Sequence, residues 1–143
     1  MHRGIFCITI VFGLLNAVQA SADRETVQLP ETMREHLLSN MRDHLLALEE
    51  ITRLLASEHY EEAAQVAESR LGLSSLESHG ASHMNRFFPK EMGQIGMEMH
   101  RAASRFALAA EEAEIEGGLN KAFSALSKVM QQCVACHSAY KVH

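Results

Sequence analysis

The sequence predicts an all-α protein, organised as an antiparallel up-down-up-down four-helix bundle. Three observations support this fold class: apolar residues recur at helical spacing over long stretches, no tract after Ala20 alternates as a strand does, and proline occurs only at positions 30 and 89. Amphipathic helices joined mainly by short connections favour an antiparallel bundle, because each apolar face must be buried against another.

The N-terminal segment has the layout of a secretory signal peptide. A short basic start precedes an apolar run from Gly4 to Leu15, and small residues lead to Ala20. The run is shorter than the roughly 20 residues needed to cross a bilayer, so no membrane insertion of the mature chain is expected. We therefore predict a signal peptide over residues 1–20, and a single domain over residues 21–143 that is exported to the periplasm.

The charge balance excludes some classes of partner. The chain carries 13 basic and 18 acidic side chains, a formal net charge of −5 with histidine neutral. Such a surface repels nucleic acid and anionic lipid, so we expect no nucleic-acid partner. The sequence also lacks a Ser-His-Asp order, paired acids in a cleft motif and a glycine-rich phosphate loop. It therefore predicts a protein that is not an enzyme.

The first helix is predicted from Glu31 to Ser57. Its apolar positions follow one helical face: Leu37, Met41, Leu48, Ile51 and Leu55. Pro30 suits the start of this helix, where a missing N–H is not needed. His44 belongs to the same series, and we expect it to be a hydrogen-bonded core histidine.

The second helix is predicted from Tyr60 to Leu71. Gly72 follows it, since glycine tolerates the left-handed conformation that often ends a helix. The segment from Leu73 to Phe88 is loop-like, with room for one helical turn. Within it, His79, His83 and Met84 have a spacing that a soft or borderline metal such as copper would accept, and this second metal site stays an open alternative to surface histidines.

The third and fourth helices complete the bundle. The third opens at Pro89 and ends at the Gly117-Gly118 pair. Its apolar positions are Met92, Ile95, Met99, Ala102, Phe106, Ala109 and Ala113. The fourth begins near Gly118 to Asn120. Its apolar stripe contains Leu119, Ala122, Phe123, Leu126, Val129, Met130, Cys133, Cys136 and Tyr140. The cysteines therefore fall on the face expected to be buried.

The stretch CVACH contains the only cysteines after residue 20, Cys133 and Cys136, followed directly by His137. The pattern C-x-x-C-H marks covalent attachment of a c-type haem. At about 100° of rotation per residue, both thiols and the imidazole lie along one side of a helix. Two thiols can then bond the vinyl groups of one porphyrin edge while the imidazole reaches the iron. The sequence thus predicts one covalently attached haem c.

Three rival interpretations of the two cysteines remain open. A thioredoxin-like redox pair requires a strand before a helix N-terminus, which this chain does not offer. A zinc site requires further ligands at metal spacing, and no histidine is paired with cysteine elsewhere. The third is an accidental pair of buried thiols.

The C-terminal stretch CVACHSAYK resembles that of the class II cytochromes c, the cytochrome c′ family, which end in C-x-x-C-H-x-x-Y-[RK] on the last helix of a four-helix bundle. The resemblance implies that Arg34 pairs with a haem propionate and that Leu38 forms the wall opposite His137. A leucine there implies a vacant or leucine-blocked sixth iron site, with Met41 as the alternative sixth ligand. Tyr140 is expected to pack against the haem edge or a neighbouring helix.

This resemblance implies an exported electron carrier that acts with a redox partner protein. The alternative is a module that binds NO or CO, for sequestration or sensing, at a vacant sixth iron site. Members of the family often form homodimers, so a homodimer is a further expectation.

Overall fold

The structure is a computed structural model that describes residues 24–116 and 118–143. Of these residues 80% are helical, which confirms the all-α class. The predicted signal peptide lies outside the described residues. The α-helices are α1 (Glu31–Ala56), α2 (Tyr60–Arg70), α3 (Ala81–Met84), α4 (Lys90–Glu116) and α5 (Leu119–Ala139), with 3₁₀ turns at Leu73–Ser75 and Asn85–Phe87. In this part of the chain, no helix is long and apolar enough to cross a membrane.

The bounds of the long helices agree with the sequence prediction to within a few residues. Pro30 immediately precedes α1, and its carbonyl accepts bonds from the N–H groups of Met33 and Arg34, both at 2.9 Å. These two donors would otherwise be unpaired at a helix start. The apolar stripe predicted for α1 then turns towards the interior, where Ile51 and Leu55 are fully buried.

Gly72 ends α2 for a different reason from the one expected. Its φ of −74° is an ordinary value, so left-handed backbone is not what it provides. A Cβ at this position would lie 2.8 Å from the Cα of Glu68. Glycine is therefore required because the chain returns closely past the last turn of α2.

The core lies where successive long helices meet. α1 packs on α2, α2 on α4, and α4 on α5. Small residues dominate the buried faces of α2 and α4: Ala63, Ala64, Ala67, Ala102, Ala103, Ala107 and Ala110 are all buried. Such residues let two helix backbones approach closely, while Phe106 and Leu126 fill the wider spaces.

Two short strands were not expected from the sequence. β1 (Glu25–Val27) pairs in parallel with β2 (Tyr140–Val142), and Val27 faces Val142. The expectation of no strand after Ala20 is therefore wrong, and so is the placement of Tyr140 on the last helix. Three residues are too few to show an alternating pattern, which explains why the sequence did not reveal them.

Candidate functional site

A cavity of about 380 Å³ lies between the first half of α1, the connection from α2 to α4, the first half of α4, and the α5–β2 junction. This volume is within the range of about 300–1,000 Å³ that is typical of ligand and cofactor pockets. Leucine and methionine are prominent in its wall: Leu37, Leu38, Met41, Leu76, Met84, Met92, Met97 and Met99. Flexible thioethers suit a wall that must fit an irregular surface.

The C-x-x-C-H motif occupies the last two turns of α5. Cys136 and His137 both line the cavity. Cys133, one turn earlier, is half-buried against the hydrophobic core, and its thiol lies 3.7 Å from the carbonyl oxygen of Val129. The structure therefore brings two of the three predicted haem-binding residues to the cavity wall and leaves the third beside it.

Both cysteines are free thiols. Burial raises the pKa of Cys133, and burial together with the neighbouring Cys133 raises the pKa of Cys136. The thiols are therefore protonated at neutral pH, and they lack the depressed pKa of a reactive redox cysteine. This does not favour the thioredoxin-like alternative.

Two of the residues assigned from the family resemblance on α1 line the cavity, and one does not. Leu38 and Met41 both contribute to its wall. Arg34 instead forms a two-point ion pair with Glu31, with N–O distances of 2.8 and 3.1 Å. Its guanidinium lies on the surface of the first turn and does not line the cavity.

The end of the cavity next to the motif is formed by β2 and the residue before β1. Tyr140 and Val142 line it on one side and Arg24 on the other. Arg24 also donates a long hydrogen bond of 3.4 Å to the carbonyl of His137. The parallel strand pair thus joins β2, which lines the cavity, to the segment that begins at Arg24.

Three histidines meet at the cavity wall, and sequence reasoning did not bring them together. Ring centroids lie 4.8 Å apart for His44 and His79, 5.4 Å for His79 and His100, and 6.3 Å for His44 and His100. Each histidine belongs to a different element: α1, the connection after α2, and α4. The helical spacing of α1 placed His44 inwards, but no sequence signal linked it to the other two.

Two of these histidines have polar partners. His100 donates from Nδ1 to the carbonyls of Leu71 and Gly72, at 2.8 and 3.2 Å. The Nδ1 of His79 lies 3.3 Å from the hydroxyl of Ser75.

His44 differs from its neighbours. It is 8% exposed, and its Nε2 is the only buried side-chain nitrogen or oxygen without a hydrogen-bond partner in the described residues. Burial, and then the two nearby histidines, lower its pKa from 6.5 to about 4, so the ring is neutral at pH 7. The expectation that His44 is a hydrogen-bonded core histidine is therefore wrong for this nitrogen.

The second metal site suggested by the sequence does not form as a group. His79 and Met84 line the cavity, whereas His83 is exposed, and its Nδ1 lies 3.2 Å from the hydroxyl of Ser82. Within residues 24–116 and 118–143, no set of three or more His, Cys, Asp or Glu side chains is arranged to hold a metal ion.

Comparisons with protein-family models, with curated protein sequences and with solved structures gave no significant match. A functional interpretation of this chain therefore depends on its motif and on the geometry of the cavity.

Proposed function

We propose that the protein is an exported c-type haem protein that transfers electrons in the periplasm. One observation carries this proposal: Cys136 and His137 of the C-x-x-C-H motif lie on the wall of an apolar cavity of cofactor size. The residues present fit a haem, because one thiol and an imidazole lie on the cavity wall, the second thiol lies one turn earlier on α5, and leucine and methionine side chains are prominent elsewhere in the lining. A buried ring nitrogen without a partner, His44 Nε2, adds a polar atom that a cofactor could satisfy.

Each residue has a distinct part in this proposal. Cys133 and Cys136 would hold the porphyrin through thioether bonds, and His137 would provide an axial iron ligand. A bound haem would supply a one-electron couple between ferric and ferrous iron. Leu37, Leu38 and the methionines of the wall would exclude water and lower the local dielectric constant, two influences that set the reduction potential.

The fold proposed around this haem is an antiparallel up-down-up-down bundle of α1, α2, α4 and α5. Successive packing of α1 on α2, α2 on α4, and α4 on α5 supports it. In such a bundle, a cofactor is held by side chains from facing helices. The residues of α1, α4 and α5 that line one cavity are consistent with that arrangement.

The proposal is tested by producing the exported protein in cells competent for cytochrome c maturation. We expect a coloured protein that keeps its haem after denaturation, with the pyridine adduct typical of thioether-linked haem. Cys133→Ala combined with Cys136→Ala should abolish covalent attachment. His137→Ala should keep the haem attached but change the iron spectrum, whereas His143→Ala, at an exposed histidine outside the cavity, should change neither. A colourless wild-type protein with both thiols open to alkylation would refute the proposal.

Binding of NO or CO is the second candidate function. The observation that favours it is the apolar wall formed by Leu37 and Leu38, which would admit small neutral ligands and exclude anions. It requires an iron without a protein ligand in its sixth position. Rapid CO binding by the reduced protein with a high-spin spectrum would support this function over electron transfer.

A further inference from the structure

The buried Nε2 of His44 lacks a hydrogen-bond partner within residues 24–116 and 118–143. Its Nε2 is shielded from solvent and accepts or donates no bond in the described part of the chain. Buried polar atoms in folded proteins are nearly always satisfied, so an exception on a residue that lines a cavity points to a group bound in that cavity. His44 lines the same cavity as His137.

Neighbouring side chains fix the ring of His44 in place. His79 packs against it at an interplanar angle of 57°, and His100 approaches edge-on at 87°. The Nδ1 atoms of both neighbours are engaged elsewhere, with the hydroxyl of Ser75 and with backbone carbonyls. His44 is thus a preorganised imidazole with an uncommitted nitrogen.

Three side chains on the cavity side of α1 are compared as candidates for the sixth ligand of a haem iron. Leu38 has no donor atom. Met41 has a thioether, which can be buried without a hydrogen-bond partner because its sulfur is only a weak acceptor. His44 is one turn beyond Met41, and its imidazole is a ligand suited to iron.

We propose that His44 would bind the haem iron as its second protein ligand beside His137, in place of the vacant or leucine-blocked site expected from Leu38. This inference rests on the proposed haem protein and makes its iron six-coordinate. It favours electron transfer over gas binding, because a diatomic ligand must then displace an imidazole.

The test is the spin state of the purified haem-loaded protein, read from the absorption and electron paramagnetic resonance spectra of the ferric form. Wild type should be low-spin. His44→Leu, which fills the same space with an apolar side chain, should lose the low-spin signal and become high-spin. His44→Ala should do the same, and added imidazole should restore its low-spin spectrum by entering the space left by the deleted ring. Met41→Leu and His143→Ala are the matched controls and should both stay low-spin.

Several results would overturn the inference. A wild-type protein that is already high-spin has no sixth protein ligand. A His44→Leu protein that keeps the wild-type spectrum has another ligand, and loss of the low-spin signal in Met41→Leu alone would assign that ligand to Met41. In each of these cases the haem is still covalently attached, so only this inference fails. Absence of covalent haem from the wild type would overturn the proposed function as well.

Discussion

The imidazole of His44 packs against that of His79 with ring centroids 4.8 Å apart, and this contact joins the middle of α1 to the connection that follows α2. Two α1 side chains, one and two turns before His44, also form hydrogen bonds with this connection. His36 Nε2 and Asn40 Nδ2 donate to the carbonyl of His79, at 2.9 and 3.2 Å. A segment predicted to be a loop is thereby held as a fixed wall of the cavity.

The first prediction concerns the pH dependence of stability in the haem-free chain, C133A/C136A. His44 has a pKa of about 4 when folded and an ordinary value of 6.5 when exposed, so between these values the unfolded chain binds a proton that the folded chain does not. The contribution of the neutral His44 ring to the free energy of unfolding is therefore fully present above pH 6.5, and it is lost as the pH is lowered towards 4. The contribution of this one group is about 1.4 kcal/mol per pH unit within that window.

Denaturant titrations of this chain at pH 7.5, 6 and 5 would measure the effect. His44→Leu should weaken the dependence, and what remains is due in part to His79 and His100, whose pKa values burial also lowers. It should not lower stability at pH 7.5. His143→Ala should leave the dependence as in the parent. A parent chain equally stable at pH 5 and pH 7.5 would contradict the lowered pKa of the buried His44 ring.

The second prediction concerns the ion-pair network between α2 and α1. Arg70 bonds to both carboxylate oxygens and the carbonyl of Asp43, and it donates to Glu50 at 3.1 Å. We expect Arg70→Ala to lower the free energy of unfolding by about 1 kcal/mol, a value reduced by the partial exposure of the group. Arg70→Lys should recover little, because an ammonium cannot make the two-point contact.

The matched control for this network is Arg53→Ala, which removes a pair 3.8 Å from Glu50 at an exposed site. Its unfolding midpoint in denaturant should be close to that of the wild type. Equal losses in the free energy of unfolding for Arg53→Ala and Arg70→Ala would show that the network between α1 and α2 stabilises the fold no more than an exposed ion pair does.

The third prediction concerns the close passage of the chain at Gly72. A methyl group there would press against the backbone of Glu68, so we expect Gly72→Ala to destabilise the fold by about 1–3 kcal/mol. Gly96→Ala is the matched control, because no atom lies within 4 Å of its added Cβ. Within a helix this change should stabilise by about 0.5–1 kcal/mol, measured by thermal unfolding of the haem-free chain. Similar effects at the two glycines would contradict the packing argument.

The fourth prediction concerns the hydrophobic core, to which Phe106 belongs. Phe106 is fully buried on α4, whereas Leu108 on the same helix is 61% exposed. We expect Phe106→Ala to cost about 3–5 kcal/mol, since it removes a large side chain from a packed interior. Leu108→Ala should change the free energy of unfolding by less than about 0.5 kcal/mol. Chemical denaturation of both variants would measure these changes. A small loss in the free energy of unfolding for Phe106→Ala would contradict the prediction and show that the core can collapse around the deleted ring.

The long helices were predictable because their apolar spacing repeats over several turns. The predicted ranges 31–57 and 60–71 differ from the observed α1 and α2 by one residue at the C-terminal end. The ends of the chain were not predictable in the same way. Tyr140 continues the apolar stripe of α5 in sequence, but pairing with β1 gives it an extended conformation, and such a contact between distant segments leaves no local signal.

The candidate site was predictable only in part. The local spacing of Cys133, Cys136 and His137 identified the motif. Helical periodicity placed Met41, and the family resemblance placed Leu38, on the side of α1 that lines the cavity. The histidine cluster could not be foreseen, because its members come from three elements whose approach is set by tertiary packing. A list of the histidines in the sequence does not distinguish the unpartnered ring from the satisfied ones.

The pairing of β1 with β2 has a consequence for how the cavity exchanges with its surroundings. This ladder is only three residues long and joins the first and last segments of the described chain, so few hydrogen bonds hold it. The amide hydrogens of Thr26 and Lys141 should therefore exchange with deuterium much faster than those around Phe106. Local opening of this ladder would uncover the part of the cavity wall formed by Tyr140 and Val142 while the helical interior stays folded.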